Sequence, residues 1–112
     1  MAGTVVGKAT ASITAQDVAA TLTGFSSPVL VSVQVAGTFT ATVTFEATVD
    51  GSTWVAIGLF PAATPTASVA TTAAAAGLFV GSGPLAVAGI RARVSAFTNN
   101  TSGIVTVRTV QV

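Results

Sequence analysis

The sequence predicts an all-β fold: an antiparallel β-sandwich or jelly roll of about seven to nine short strands with no significant helix. Three observations lead there. Apolar residues recur at every second position over most of the chain, Gly-, Asn- and Pro-containing corners interrupt them at short intervals, and charged helix formers are nearly absent. A chain of 112 residues is expected to form one domain, here 1–112.

The clearest element is TFTATVTFEATV at 38–49. Phe39, Ala41, Val43, Phe45, Ala47 and Val49 share one face, and Thr38, Thr40, Thr42, Thr44, Glu46 and Thr48 share the other. Side chains alternate across a strand, so the first set is expected in the core and the second at the surface. Upstream, PVLVSVQVAG at 28–37 places Val29, Val31, Val33 and Val35 on one face, and Ala36-Gly37 is expected to close a hairpin onto the long strand. Downstream, WVAIGLF at 54–60 reads as a third strand, ended by Pro61.

The small-residue stretch 61–77 carries prolines and threonines and reads as an extended edge strand plus loop. GLFV at 77–80 is a short strand before the Gly81–Pro84 turn. GIRARVSAFT at 89–98 alternates Ile90, Ala92, Val94 and Ala96 against Arg91, Arg93, Ser95 and Phe97. NNTSG at 99–103 is expected as a hairpin turn into the closing strand IVTVRTVQV. Weaker strands are expected around 4–14 and 18–23, with residues 1–15 serving as an extended N-terminal arm.

Composition narrows the function classes. Charged residues make up 6% of the chain, against about 25% in soluble domains. Mean hydropathy is +0.83, yet Thr, Ser or Gly breaks every apolar run well short of the roughly 20 residues a membrane helix needs. The chain is also short for a transmembrane barrel of about eight strands, and no apolar block follows Lys8 to form a secretory signal. No membrane partner is expected. A net charge of +1 provides little repulsion between copies, so much of the surface is expected to lie against other chains. A monomer kept soluble by its threonines is the alternative.

Histidine, cysteine and tyrosine are absent, which removes the commonest general base, two nucleophiles and the usual transition-metal ligands. Glu46 and Asp50, four apart on one strand, stand about 13 Å apart, farther than a glycosidase pair. No catalytic residue, metal site or cofactor is expected, and the protein is not expected to be an enzyme. Asp50-Gly51 is a turn signal, since Asp bonds the backbone ahead of it and Gly supplies positive φ. Arg91, Arg93 and Arg108 would form a small basic stripe, too thin for nucleic acid and better suited to Glu46, Asp50 or a protein partner. Trp54 reads as a core anchor heading the returning strand; the alternative is a glycan-stacking aromatic. Asn99 and Asn100 match glycosylation sequons and read as turn residues.

The run TVTFEATVDGSTWVAIG, then a small-residue stretch, GLFV, and GIRARVSAFTNNTSGIVTV resembles small β-sandwich virion structural proteins of tailed bacteriophages, of the capsid decoration (cement) or head-fibre type. The resemblance spans roughly residues 35–112. It implies a protein made in the host cytoplasm that attaches to the capsid exterior, binds the major capsid protein and bridges shell subunits. It further implies contacts with other copies of itself, a trimer being favoured. Thr40, Thr42, Thr44, Glu46, Arg91, Arg93 and Arg108 are the expected partner contacts. The rival roles are a tail or fibre module in which Trp54 contacts host glycans, and a tail or head-completion subunit.

Overall fold

The computed structural model describes residues 6–64 and 69–112, and its core side chains come from strands whose positions alternate between the inner and outer face over most of their length. Ten strands are formed among the described residues: β1 (Val6–Ser12), β2 (Ala19–Thr23), β3 (Val29–Ala36), β4 (Phe39–Thr48), β5 (Val55–Ala56), β6 (Phe60–Pro61), β7 (Thr72–Ala73), β8 (Gly77–Val80), β9 (Gly89–Asn100) and β10 (Ile104–Gln111). They make two antiparallel sheets. Sheet A runs β1-β10-β3-β8-β6, and sheet B runs β2-β9-β4-β5 with β7 also on β4. The expected all-β sandwich is therefore present. No helix among the described residues is long and apolar enough to cross a membrane.

The core forms where the two inner faces meet. Val29, Val31, Val33 and Val35 of β3 and Val105 and Val107 of β10 come from sheet A. Val43, Phe45 and Ala47 of β4 and Ile90, Ala92 and Val94 of β9 come from sheet B. Each buried Val or Phe side chain contributes about 1.5–3 kcal/mol by leaving water. Phe45 reaches across to Phe79 of β8, with ring centroids 5.0 Å apart and planes tilted by 48°.

Both expected hairpins are instead crossings between sheets. β3 pairs with β10 and β8, whereas β4 pairs with β9, β5 and β7. The valines of β3 thus lie across the core from Val43 and Phe45 of β4 rather than beside them. NNTSG likewise carries the chain from β9 in sheet B to β10 in sheet A. The two corners hold each other: Thr101 and Ser102 N–H groups donate to the Thr38 carbonyl at 3.0 Å, and Thr38 N–H donates to Ser102 Oγ at 3.0 Å. Gly37 turns this corner at φ +89°, and a Cβ there would run into the Ser102 carbonyl.

WVAIGLF also changes sheets. Val55 and Ala56 pair with Ala47 and Glu46 in sheet B, and Phe60 and Pro61 pair with Val80 and Phe79 in sheet A. Buried Leu59 lies between the two pieces. Pro61 sits on an edge strand, where a missing N–H leaves no central ladder bond unmade. Over 61–77 the extended pairing expected appears as β7, while residues 65–68 lie outside the described residues.

Three further expectations change. Val49 is 77% exposed, because β4 ends at Thr48 and the chain turns away before another inward position is reached. In β9 two bulges, at Ser95 and Thr98, shift the phase, so Ala96 is exposed and Phe97 packs on the core. Within the arm expected over 1–15, Val6–Ser12 is the edge strand β1, paired residue for residue with β10 from Val6↔Val110 to Ser12↔Ile104; residues 1–5 lie outside the described residues.

Gly37→Ala is expected to destabilise the protein by about 2 kcal/mol or more, since strain at positive φ adds to the Ser102 clash. Urea unfolding of the variant beside Gly51→Ala checks it. Gly51 also has positive φ (+84°) but open space around it, so its variant isolates the backbone contribution.

Candidate functional site

The outer face of sheet B gathers most of the chain's charge into one row. Alternation puts Arg91 and Arg93 on the outer side of β9 and Glu46 on the outer side of β4, and register sets Glu46 directly opposite Arg91 and Thr44 opposite Arg93. Arg91 Nε donates to Glu46 Oε1 at 2.7 Å; Arg93 Nε donates to the same oxygen at 3.1 Å, and Arg93 Nη2 to Oε2 at 3.4 Å. Arg93 Nη1 reaches Asp17 Oδ1 at 2.8 Å. At the other end the Arg91 guanidinium stacks 4.4 Å from the centroid of the Trp54 ring. The row runs Asp17–Arg93–Glu46–Arg91–Trp54 across the sheet, and its formal charge is zero.

Glu46 is only 7% exposed, although the sequence places it on the wet face. Burial pushes its carboxyl up, but the hydrogen bonds and charges of Arg93 and Arg91 outweigh that, holding it below its ordinary 4.5. Glu46 and Asp17 in turn hold the Arg93 guanidinium protonated. No buried side-chain nitrogen or oxygen among the described residues lacks a partner.

Trp54 is half-buried and outside the core, so the expected core anchor is replaced by a lid on the outer face. The reason lies in β9. Gly89 has no side chain, and a Cβ there would stand 3.0 Å from the tip of the indole, so the ring lies over the bare backbone beside Arg91. Thr48, opposite Gly89, is covered to 2% exposure at the same end of the sheet.

The Asp50 corner is a turn, as expected. Asp50 Oδ1 accepts from the N–H groups of Ser52 and Thr53 at 2.8 and 2.7 Å and from Thr48 Oγ1 at 3.0 Å, and Gly51 has φ +84°. The Thr53 and Ser52 N–H groups hold its carboxyl well below the usual carboxylate range. With Glu46 also lowered, neither member of the Glu46–Asp50 pair is a proton donor near neutral pH, as glycosidase chemistry requires of one. The described residues contain no group of three or more metal-ligating acidic, histidine or cysteine side chains.

The remaining candidates are dispersed. Thr40 is exposed and Thr42 half-buried, and Thr44 Oγ1 donates to Ser95 Oγ at 2.7 Å. Arg108 is not part of the stripe: it lies on β10 in sheet A, opposite Lys8 and Ser32. Asn99 and Asn100 end β9, and Asn100 Oδ1 accepts from Gly103 N–H at 2.5 Å, within the corner. Asp17, which the sequence did not single out, joins the row from a turn at φ +70°, a conformation Asp tolerates. Its only sequence signal is a position shortly before β2.

These features define a two-sheet antiparallel β-sandwich with a self-neutralised polar row on one outer face. Among solved structures the chain is similar to the SPBc2 prophage-derived protein YomS, at a TM-score of 0.65 and 9% identity over 99% of both chains. At that identity the likeness is one of fold. No family model matches the chain, and no curated protein matches it.

Glu46→Gln is expected to lower stability by about 2 kcal/mol at pH 7, since two charge-assisted bonds weaken and both arginines lose their counter-charge. The Glu46 contribution is full above pH about 4.5 and is lost as pH falls through the lowered folded value. Urea midpoints of the parent protein and the variant should therefore keep a constant separation above pH about 4.5 and draw together as pH falls below it.

Proposed function

We propose that the chain is a non-enzymatic structural protein of a tailed-bacteriophage particle, and more specifically a capsid decoration protein on the outer shell. The observation that carries this reading is the full-length likeness to a prophage-derived protein of the same two-sheet architecture. The chemistry agrees with it. The described carboxylates are all engaged with arginines or in a turn, and no histidine or cysteine is present to act as base or nucleophile. A net charge of +1 on a largely Thr-, Ala- and Val-bearing exterior suits close packing against other subunits. In this reading the protein binds the major capsid protein, bridges neighbouring shell subunits and contacts further copies of itself at local three-fold positions.

Purified protein mixed with emptied capsids of the phage that encodes it should give ordered extra density on the shell by electron microscopy. Bare shells beside protein found on tails would replace decoration with a tail role, and protein on neither would end the structural reading.

The placement of Trp54 supports a second reading, a fibre or tail module that binds host glycans. The indole stands half-exposed at the rim of sheet B, next to the polar Ser52-Thr53 corner. Saturable quenching of its fluorescence by host surface polysaccharide, abolished in Trp54→Ala, is the outcome expected of that module; unchanged emission at millimolar sugar removes it.

A further inference from the structure

The outer face of sheet A differs from that of sheet B. Register places Lys8 of β1 directly opposite Arg108 of β10, both exposed and both on the outer side. Like charges directly opposite one another destabilise a strand pair. No carboxylate among the described residues pairs with either, because Asp17 and Glu46 are bound to arginines on sheet B and Asp50 is tied into its own turn. A chain with four basic and three acidic residues thus leaves two of its cations side by side. This face carries two positive charges, and with the sheet B row neutral only Asp50 offsets them to the net charge of +1.

The surroundings of the two cations are those of an interface. Lys8 and Arg108 line a shallow depression with Leu78 and with Ser32, Gln34 and Thr106, the last three of which supply hydroxyl and amide groups. Around it stand large apolar side chains on the same outer side. Val6 is 52% exposed, Leu78 46%, and Leu30 and Ile104 42% each. Register fixes their side: Val6 and Leu30 both lie opposite Val110, Leu78 opposite Gln34 and Ile104 opposite Ser12. Apolar groups around a few oriented polar ones are the anatomy of a protein–protein contact rather than of a solvated surface.

We propose that the outer face of sheet A is the docking surface of this protein and that its partner is an acidic surface of a different protein. Carboxylates of the partner would seat between Lys8 and Arg108 while its apolar side chains cover Leu30 and Leu78. Charge complementarity selects this occupant. A second copy meeting face to face would oppose two cations with two cations, and this chain holds its own carboxylates in pairs and in a turn. Two cations set among apolar side chains are too sparse for a nucleic-acid backbone, which is held by many phosphate contacts. The assignment to the capsid as bearer of the acidic surface rests on the reading under Proposed function; the surface itself does not.

The test compares the parent protein, K8Q/R108Q and T21E/T98E, two variants that change net charge by the same two units on opposite sheets. Retention on immobilised poly-L-glutamate at low salt is expected for the parent and for T21E/T98E, with a loss of about tenfold or more in K8Q/R108Q. K8Q/R108Q should melt at or above the parent temperature, since its removed pair is repulsive. Equal losses in both variants, no parental retention, or stronger parental retention on duplex DNA than on poly-L-glutamate would overturn the proposal. So would a lower melting temperature for K8Q/R108Q, which would assign the pair to the fold. Co-sedimentation of the same three proteins with emptied capsids separates the two readings. If the parent fails to sediment while face-specific retention holds, the capsid role falls and the surface stands. If K8Q/R108Q sediments like the parent, the surface falls and the capsid role stands.

Discussion

The structure depends on one packing event: inward stripes of β3 and β4, adjacent in sequence, meet face to face across the core. Had β3 and β4 paired side by side as a hairpin, both stripes would lie on one face of a single sheet and need another layer to cover them. Crossing at Gly37 lets each stripe bury the other. The corner at 100–103 makes the complementary crossing from β9 to β10, and the backbone bonds between the two corners close that end of the sandwich. Phe45, Val33, Val43 and Val107 are each at most 1% exposed as a result.

Once the sheets are fixed, the few charges have few places to go. Sheet B neutralises its own: Glu46 sits between two arginines, Asp17 caps the row, and Trp54 lies on Arg91. A buried carboxylate held by two forked guanidiniums constrains orientation more than it adds net stability, because desolvation offsets much of the attraction. The row thereby fastens β2, β9, β4 and the approach to β5 in one arrangement. Sheet A keeps its two cations unneutralised on an otherwise uncharged face.

This asymmetry separates the two outer faces of the sandwich. The Thr-rich side of β4 looks, as a sequence, like the surface for partners, and its one charged member, Glu46, is taken up by Arg91 and Arg93. The unmet charge lies on the other sheet, beside exposed Val6, Leu30, Leu78 and Ile104. Binding proteins commonly keep such local conflicts where a partner resolves them, which here connects the fold to the proposed docking role.

The sequence by itself determined the strand positions and which face of most strands is buried, because side-chain direction in a strand is a local, period-two property. Val29, Val31, Val33 and Val35, Ala41 to Ala47, Ile90 to Val94 and the Asp50-Gly51 turn all follow from that rule. Alternation carries no information on which strands become neighbours. Only the tertiary structure decided that β3 and β4 part, that β9 and β10 part, and that WVAIGLF divides between sheets. Those pairings in turn separated Arg108 from Arg91 and Arg93, seated Glu46 between the latter two, drew Asp17 into the row and laid Trp54 over Gly89. Each of these depends on register between residues far apart in the chain. The bulges of β9 added a further shift, turning Phe97 inward against its own alternation, since an extra residue in one strand is visible only beside its partner.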